Sequence, residues 1–132
     1  MPNVSNAIIN RLHDEAFALL LTSRDWAGKS AYAIRSVEDP MQSLSIAAAA
    51  MGLTALVTDS LAWIMAQRAF AAGEITEREA LSERFAPAQL ALDGFAPDLL
   101  PAKLAELIQK AERFHQRITL LHSRRQQYLL SA

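Results

Sequence analysis

The sequence predicts an all-α fold: an antiparallel three-helix bundle with one extra short helix, dimerising. Three observations carry this. Apolar residues recur at three- and four-residue steps along most of the chain. No stretch alternates at period two over a useful length, which argues against a sheet. Capping residues, glycines and prolines punctuate the pattern at Asp39-Pro40, Gly73, Pro87, Gly94 and Pro97-Pro101. The 132 residues carry no low-complexity linker and no internal repeat, so 1–132 is read as a single helical-bundle domain.

The first helix is expected over about 5–35, where Leu12, Ala16, Leu19 and Leu20 share a face and Tyr32 continues the pattern. Gly28 inside it costs about 1 kcal/mol against alanine, which points to a bend or a close helix contact there. Asp39 is a good N-cap with Pro40 in the first helical position, and Gln42 stands where a capping box needs it. This second helix is expected over 40–72, stopped by Gly73. Thr76-Glu77-Arg78-Glu79 is a capping box for a short helix over 77–85, ended at Phe85-Ala86-Pro87. Leu90, Leu92 and Phe95, in the irregular stretch that follows, are expected to tuck against the bundle. The last helix, over 99–128, has Pro101 in its first turn. Leu104, Ala111 and Ile118 repeat every seven residues there, with Leu107, Phe114 and Leu121 between them.

Residues 46–66, IAAAAMGLTALVTDSLAWIMA, contain one charge, Asp59. The segment is long enough to span a bilayer. Against a span stand the carboxylate near its centre, costing about 2.5–3.5 kcal/mol on insertion scales. Its alanine-rich composition and an upstream flank of Glu38 and Asp39, with no basic or aromatic belt, weigh the same way. A central helix packed on several sides is apolar nearly all round and needs small residues such as Ala47 to Ala50. The expectation is therefore a bundle centre with no membrane, part of it covered by a second subunit.

Composition limits the chemistry. There is no cysteine, so disulfides, thiolate metal sites and cysteine nucleophiles are excluded, in keeping with a reducing, cytoplasmic location. The N-terminus MPNVSNAIINRLHDE lacks a secretory pattern. The net charge of −1 hides a division: residues 1–98 balance to −5 and residues 99–132 to +4.

Trp63, Gln67 and Arg68 lie at i, i+4 and i+5. They form either a recognition patch or, as expected here, a tryptophan in the core or dimer interface, with Arg68 bonded to a loop carboxylate such as Glu74. Asp59 is expected to be paired, an arginine of a neighbouring helix being the natural partner. Glu112 and His115 have the i, i+3 spacing of di-iron bundles, but that site needs a second such motif and two more glutamates. No metal, no cofactor and no catalytic residue are expected, and no nucleophile elbow or phosphate loop is present. Lys103, Lys110, Arg113, Arg117 and Arg124 fall within roughly an 80° arc of the last helix, interrupted by Glu106. That stripe is a solvated face, a docking surface for an acidic partner, or a nucleic-acid contact. The segment Gln126-Gln127-Tyr128-Leu129-Leu130-Ser131-Ala132 finishes in small and apolar residues, the character either of tails that unfoldases grip or of a tail that packs on a dimer partner.

From residue 51 the chain reads MGLTALVTDSLAWIMAQRAFAAGEIT. Leu53-Thr54, Trp63, Gln67-Arg68-Ala69 and the turn Gly73-Glu74-Ile75-Thr76 resemble the RcdA family, alphaproteobacterial adaptors named for the regulation of CtrA degradation. Two further blocks agree: LPAKLAELIQKAERFHQRITLL at 100–121 and EAFALLLTSRDWAGKSAYAI at 15–34. The sequence departs from the family pattern at Gly52, Ala55 and Leu56, where basic residues accompany the leucine-threonine stretch. The resemblance implies a homodimeric three-helix bundle without catalytic activity. It also implies protein partners: the protease ClpXP, and a client regulator or co-adaptor in cell-cycle proteolysis. A basic-helix nucleic-acid-binding regulator is the alternative, and a metal-binding bundle a more remote one.

Overall fold

The computed structural model describes residues 6–89 and 97–131. Within them the chain is an all-α bundle: α1 (Asn6–Arg35), α2 (Pro40–Ala71), a one-turn α3 (Glu77–Ala80), a 3-10 turn (Pro97–Leu99) and α4 (Ala102–Ser131). Leu90, Leu92 and Phe95 lie outside the described residues.

The helix ends follow from local chemistry. Asp39 caps α2 by accepting from the Met41 N–H at 3.0 Å, with Pro40 in the first turn. Gln42 returns no bond among the described residues, so the cap is one-sided. Gly73 ends α2 at φ 78°, a left-handed conformation that glycine adopts without a Cβ clash. Thr76 and Glu79 close a full capping box: Thr76 Oγ1 accepts from the Glu79 N–H, and Glu79 Oε1 accepts from the Thr76 N–H. The helix it opens ends at Ala80 rather than near residue 85; turns at Ser82–Glu83 carry the chain on to Phe85 and Ala86. Gly28 has open space where a Cβ would sit, so no helix packs closely upon it.

The core forms two clusters. Ile46, Ala49, Leu53, Leu56 and Val57 of α2 meet Leu104, Leu107, Ile108 and Ala111 of α4. Further along, Ile9, Leu12 and Ala16 of α1 meet Trp63 and Ile64 of α2 and Phe114 and Ile118 of α4. The heptad residues of α4 from Leu104 to Ile118 are thus buried and Leu121 is half-buried, each large buried side chain contributing about 1.5–3 kcal/mol by leaving water. Ala16 and Ala49, both fully buried, let the helix axes approach.

Helix α2 lies between α1 and α4 and makes the most extensive contacts with both. The pairings fix the directions. Helix α1 runs antiparallel to its neighbours, Ile9 meeting Ile64 and Glu15 meeting Arg117. Helices α2 and α4 run the same way: Asp59 faces His115, Trp63 faces His122 and Gln67 faces Arg125. Two helices in the same direction need a connection that travels back along the bundle. The described residues 72–89 travel that way, passing Gln67 at Ala80 and Asp59 at Ala88, and Leu100 packs against the first core cluster ahead of α4.

Candidate functional site

Two polar side chains of α2, Asp59 and Gln67, eight residues apart on one face, hold that returning connection. Gln67 Nε2 donates to the Ala80 carbonyl at 3.1 Å, while its Oε1 accepts from Arg125 Nη1 at 2.6 Å. Gln126 Nε2 donates to the Leu81 carbonyl at 3.0 Å. Eight residues back along α2, Asp59 Oδ2 accepts from the Ala88 N–H at 2.8 Å and lies 2.8 Å from His115 Nε2. Asp59 is therefore paired, but with a histidine and a backbone amide rather than an arginine. Between these levels the Trp63 Nε1–H donates to His122 Nδ1 at 3.0 Å. Burial lowers the His122 pKa below its ordinary 6.5, and the nearby Arg125 charge lowers it further. Arg125 itself is pulled down by burial, which Glu77 partly offsets.

The arrangement is that of a latch. Among the described residues no hydroxyl donates to the His115 ring. Ser60, the neighbour of Asp59, spends its hydroxyl on the Leu56 carbonyl at 2.8 Å. No three histidine, aspartate or glutamate side chains converge among the described residues, so the Glu112 and His115 spacing does not assemble a metal ligand set there. Trp63 and Gln67 are fully interior, so the tryptophan serves the core and the three-residue surface patch does not form. Arg68 alone of that trio is exposed, beside Asn6, Ile9 and Asn10, and makes no ion pair with Glu74 among the described residues. His122, Arg125 and Gln126 were not distinguished by spacing; their partners lie far away in sequence.

The basic stripe of α4 is exposed as its angular spacing requires, and it is partly neutralised. Lys110 and Lys103 flank Glu106 at 3.1 and 3.6 Å. The Lys110 hydrogen bond, with the charge of Lys103, holds the Glu106 carboxyl below its ordinary pKa. Arg117 makes a two-pronged pair with Glu15 of α1 at 2.7 and 3.2 Å, its guanidinium over the Phe114 ring. Arg113 and Arg124 are exposed and have no ion pair among the described residues. Lys110, Arg113 and Arg117 border a cleft of about 350 Å³ between α1 and α4.

The opposite face of α2 is open. Met41, Leu44, Ala48, Met51, Ala55, Thr58, Ala62 and Met65 are all exposed and follow one another at alternating steps of three and four. The four large side chains among them are between 52% and 73% exposed. No charge interrupts this seam, which runs about 36 Å at the α-helical rise. By length and composition α2 is also the one described helix apolar enough to cross a membrane.

The chain belongs to the family described as protein of unknown function, DUF1465, whose model matches residues 1–129. No curated protein and no solved structure shows a significant match.

Proposed function

We propose that this DUF1465 protein is a non-enzymatic, cytoplasmic interaction module, homodimeric through the open face of α2. On this reading it acts as an adaptor of the RcdA kind, holding a client or co-adaptor for ClpXP proteolysis. The observation that carries the interaction role is the uncharged seam from Met41 to Met65. Soluble monomers seldom leave so long an apolar stripe bare. A seam stepping three and four is the pattern that packs helix on helix. Alanines at alternate positions allow close approach, and methionines supply adaptable contact surface. A second copy is favoured because the seam can pair with itself about a two-fold axis. The adaptor role rests on the resemblance of the Trp63, Gln67-Arg68-Ala69 and Gly73–Thr76 elements to that family.

The ion pairs of Lys103, Lys110 and Arg117 weigh against nucleic acid. They leave a field too broken for a phosphate backbone, which rewards uninterrupted cations. The adaptor reading is tested by removing the gene from cells that contain ClpXP and following protein half-lives after translation is stopped. At least one regulatory protein is expected to persist severalfold longer, with normal turnover restored on re-expression. Unchanged half-lives throughout the proteome would overturn it.

A further inference from the structure

The cleft between α1 and α4 has the makings of a peptide site, which the α2 seam does not supply. It exists because α1 and α4 touch each other far less than either touches α2. Its floor is apolar, built from Leu19, Leu107 and Phe114. Its α1 wall is low, because Ala18 and Thr22 are small. Its α4 rim carries Lys110, Arg113 and Arg117; Glu106 pairs with Lys110 and Glu15 with Arg117, so Arg113 is the rim cation left open among the described residues.

The Glu15 carboxylate shows how the rim recognises an acid. Glu15 engages both Arg117 nitrogens, the planar geometry in which a guanidinium binds a carboxylate best. Arg113 lies one helical turn before Arg117 on the same face and has no ion pair among the described residues. An incoming aspartate or glutamate meets at Arg113 the contact that Glu15 already makes at Arg117.

The geometry points to an acidic segment of a partner protein as the occupant, with a leucine or phenylalanine seated over Ala18, Leu19 and Thr22, the lining residues that stay accessible above the buried Leu107 and Phe114. Single-stranded nucleic acid fits less well. Base stacking needs an open ring face, and Phe114 is only 4% exposed. The inference rests on the chain being a protein-interaction module. It adds the chemical class of the partner and the surface that takes it.

The test uses the full-length protein and a fluorescein-labelled peptide with two leucines one helical turn apart among four glutamates, read by anisotropy. The controls are the same peptide with glutamine for glutamate and a short single-stranded DNA. The acidic peptide is expected to bind, more weakly as salt rises, and at least tenfold more tightly than the glutamine control. Arg113→Glu should weaken binding at least tenfold with helicity unchanged, since Arg113 is exposed and supports no packing. Arg113→Lys should retain part of the affinity. Filling the cleft by Ala18→Trp should weaken both acidic and glutamine peptides. No binding, equal binding of the two peptides, indifference to Arg113→Glu, or tighter binding of the DNA would each overturn the inference. Protein turnover in cells separates the two claims. Normal adaptor activity with no peptide binding removes the cleft alone; peptide binding with unchanged turnover removes the adaptor role alone.

Discussion

Asp59 is a carboxylate set in the most apolar segment of the chain, and its two partners explain how it is tolerated. A buried or half-buried charge is stable when hydrogen-bonded, and here one oxygen accepts from Ala88 and meets the His115 ring. Asp59→Ala leaves the Ala88 N–H and the His115 ring without that acceptor. It should lower stability to urea by about 1–3 kcal/mol and speed limited proteolysis near residues 82–89; an unchanged cleavage rate would mean the latch holds nothing. His122 makes a second claim at the same scale. Its pKa is lowered on folding, so the unfolded chain takes up the proton first as pH falls. Stability contributed by the neutral ring is complete above about pH 6.5 and is lost as pH falls from there through the folded value. His122→Gln keeps an acceptor for the Trp63 indole but does not titrate. Urea midpoints at pH 7.5 and pH 5 should therefore fall less in this variant than in the wild type; equal falls would place the sensitivity elsewhere.

Among the elements, α3 shows how local signals work and where they stop. Its capping box is written in four consecutive residues, and the structure forms both bonds. Thr76→Ala should cost about 1 kcal/mol, measured by chemical denaturation, and the loss should be offset by restoring serine. The end of α3 was less legible, because Ala80 and Leu81 give their carbonyls to Gln67 and Gln126 rather than extending the helix. Helix α4 was legible for a different reason. Its seven-residue repeat separates buried from exposed positions, so the core residues and the basic stripe could both be placed by angle. Helix α2 has no such contrast. Apolar residues point all round it, so no period singled out the face that stays open. The course of residues 72–89 and the shared direction of α2 and α4 were also hidden. They depend on Asp59, Gln67 and Gln126 meeting backbone groups 13–45 residues away. The same holds for Glu15 and Arg117, 102 residues apart.

For the molecule as a whole, the folded chain leaves two surfaces with different chemistry. One is the α1–α4 cleft with its cationic rim, and the other is the uncharged seam of α2. A seam of this length packed on its own copy hides the methionines and leaves both clefts of the dimer facing solvent. Covering it with lipid instead would pull Asp59, His115 and the Ala88 segment toward the bilayer, where an engaged carboxylate is still costly. The most direct measurement is sedimentation equilibrium of the purified protein in buffer without detergent, beside the Met51→Glu variant. The expected result is a particle of twice the 14.5 kDa protomer mass, with the variant dissociating at least tenfold more readily and its helicity unchanged. A wild-type protein that sediments as a monomer, or stays in solution only when detergent is added, would contradict the account.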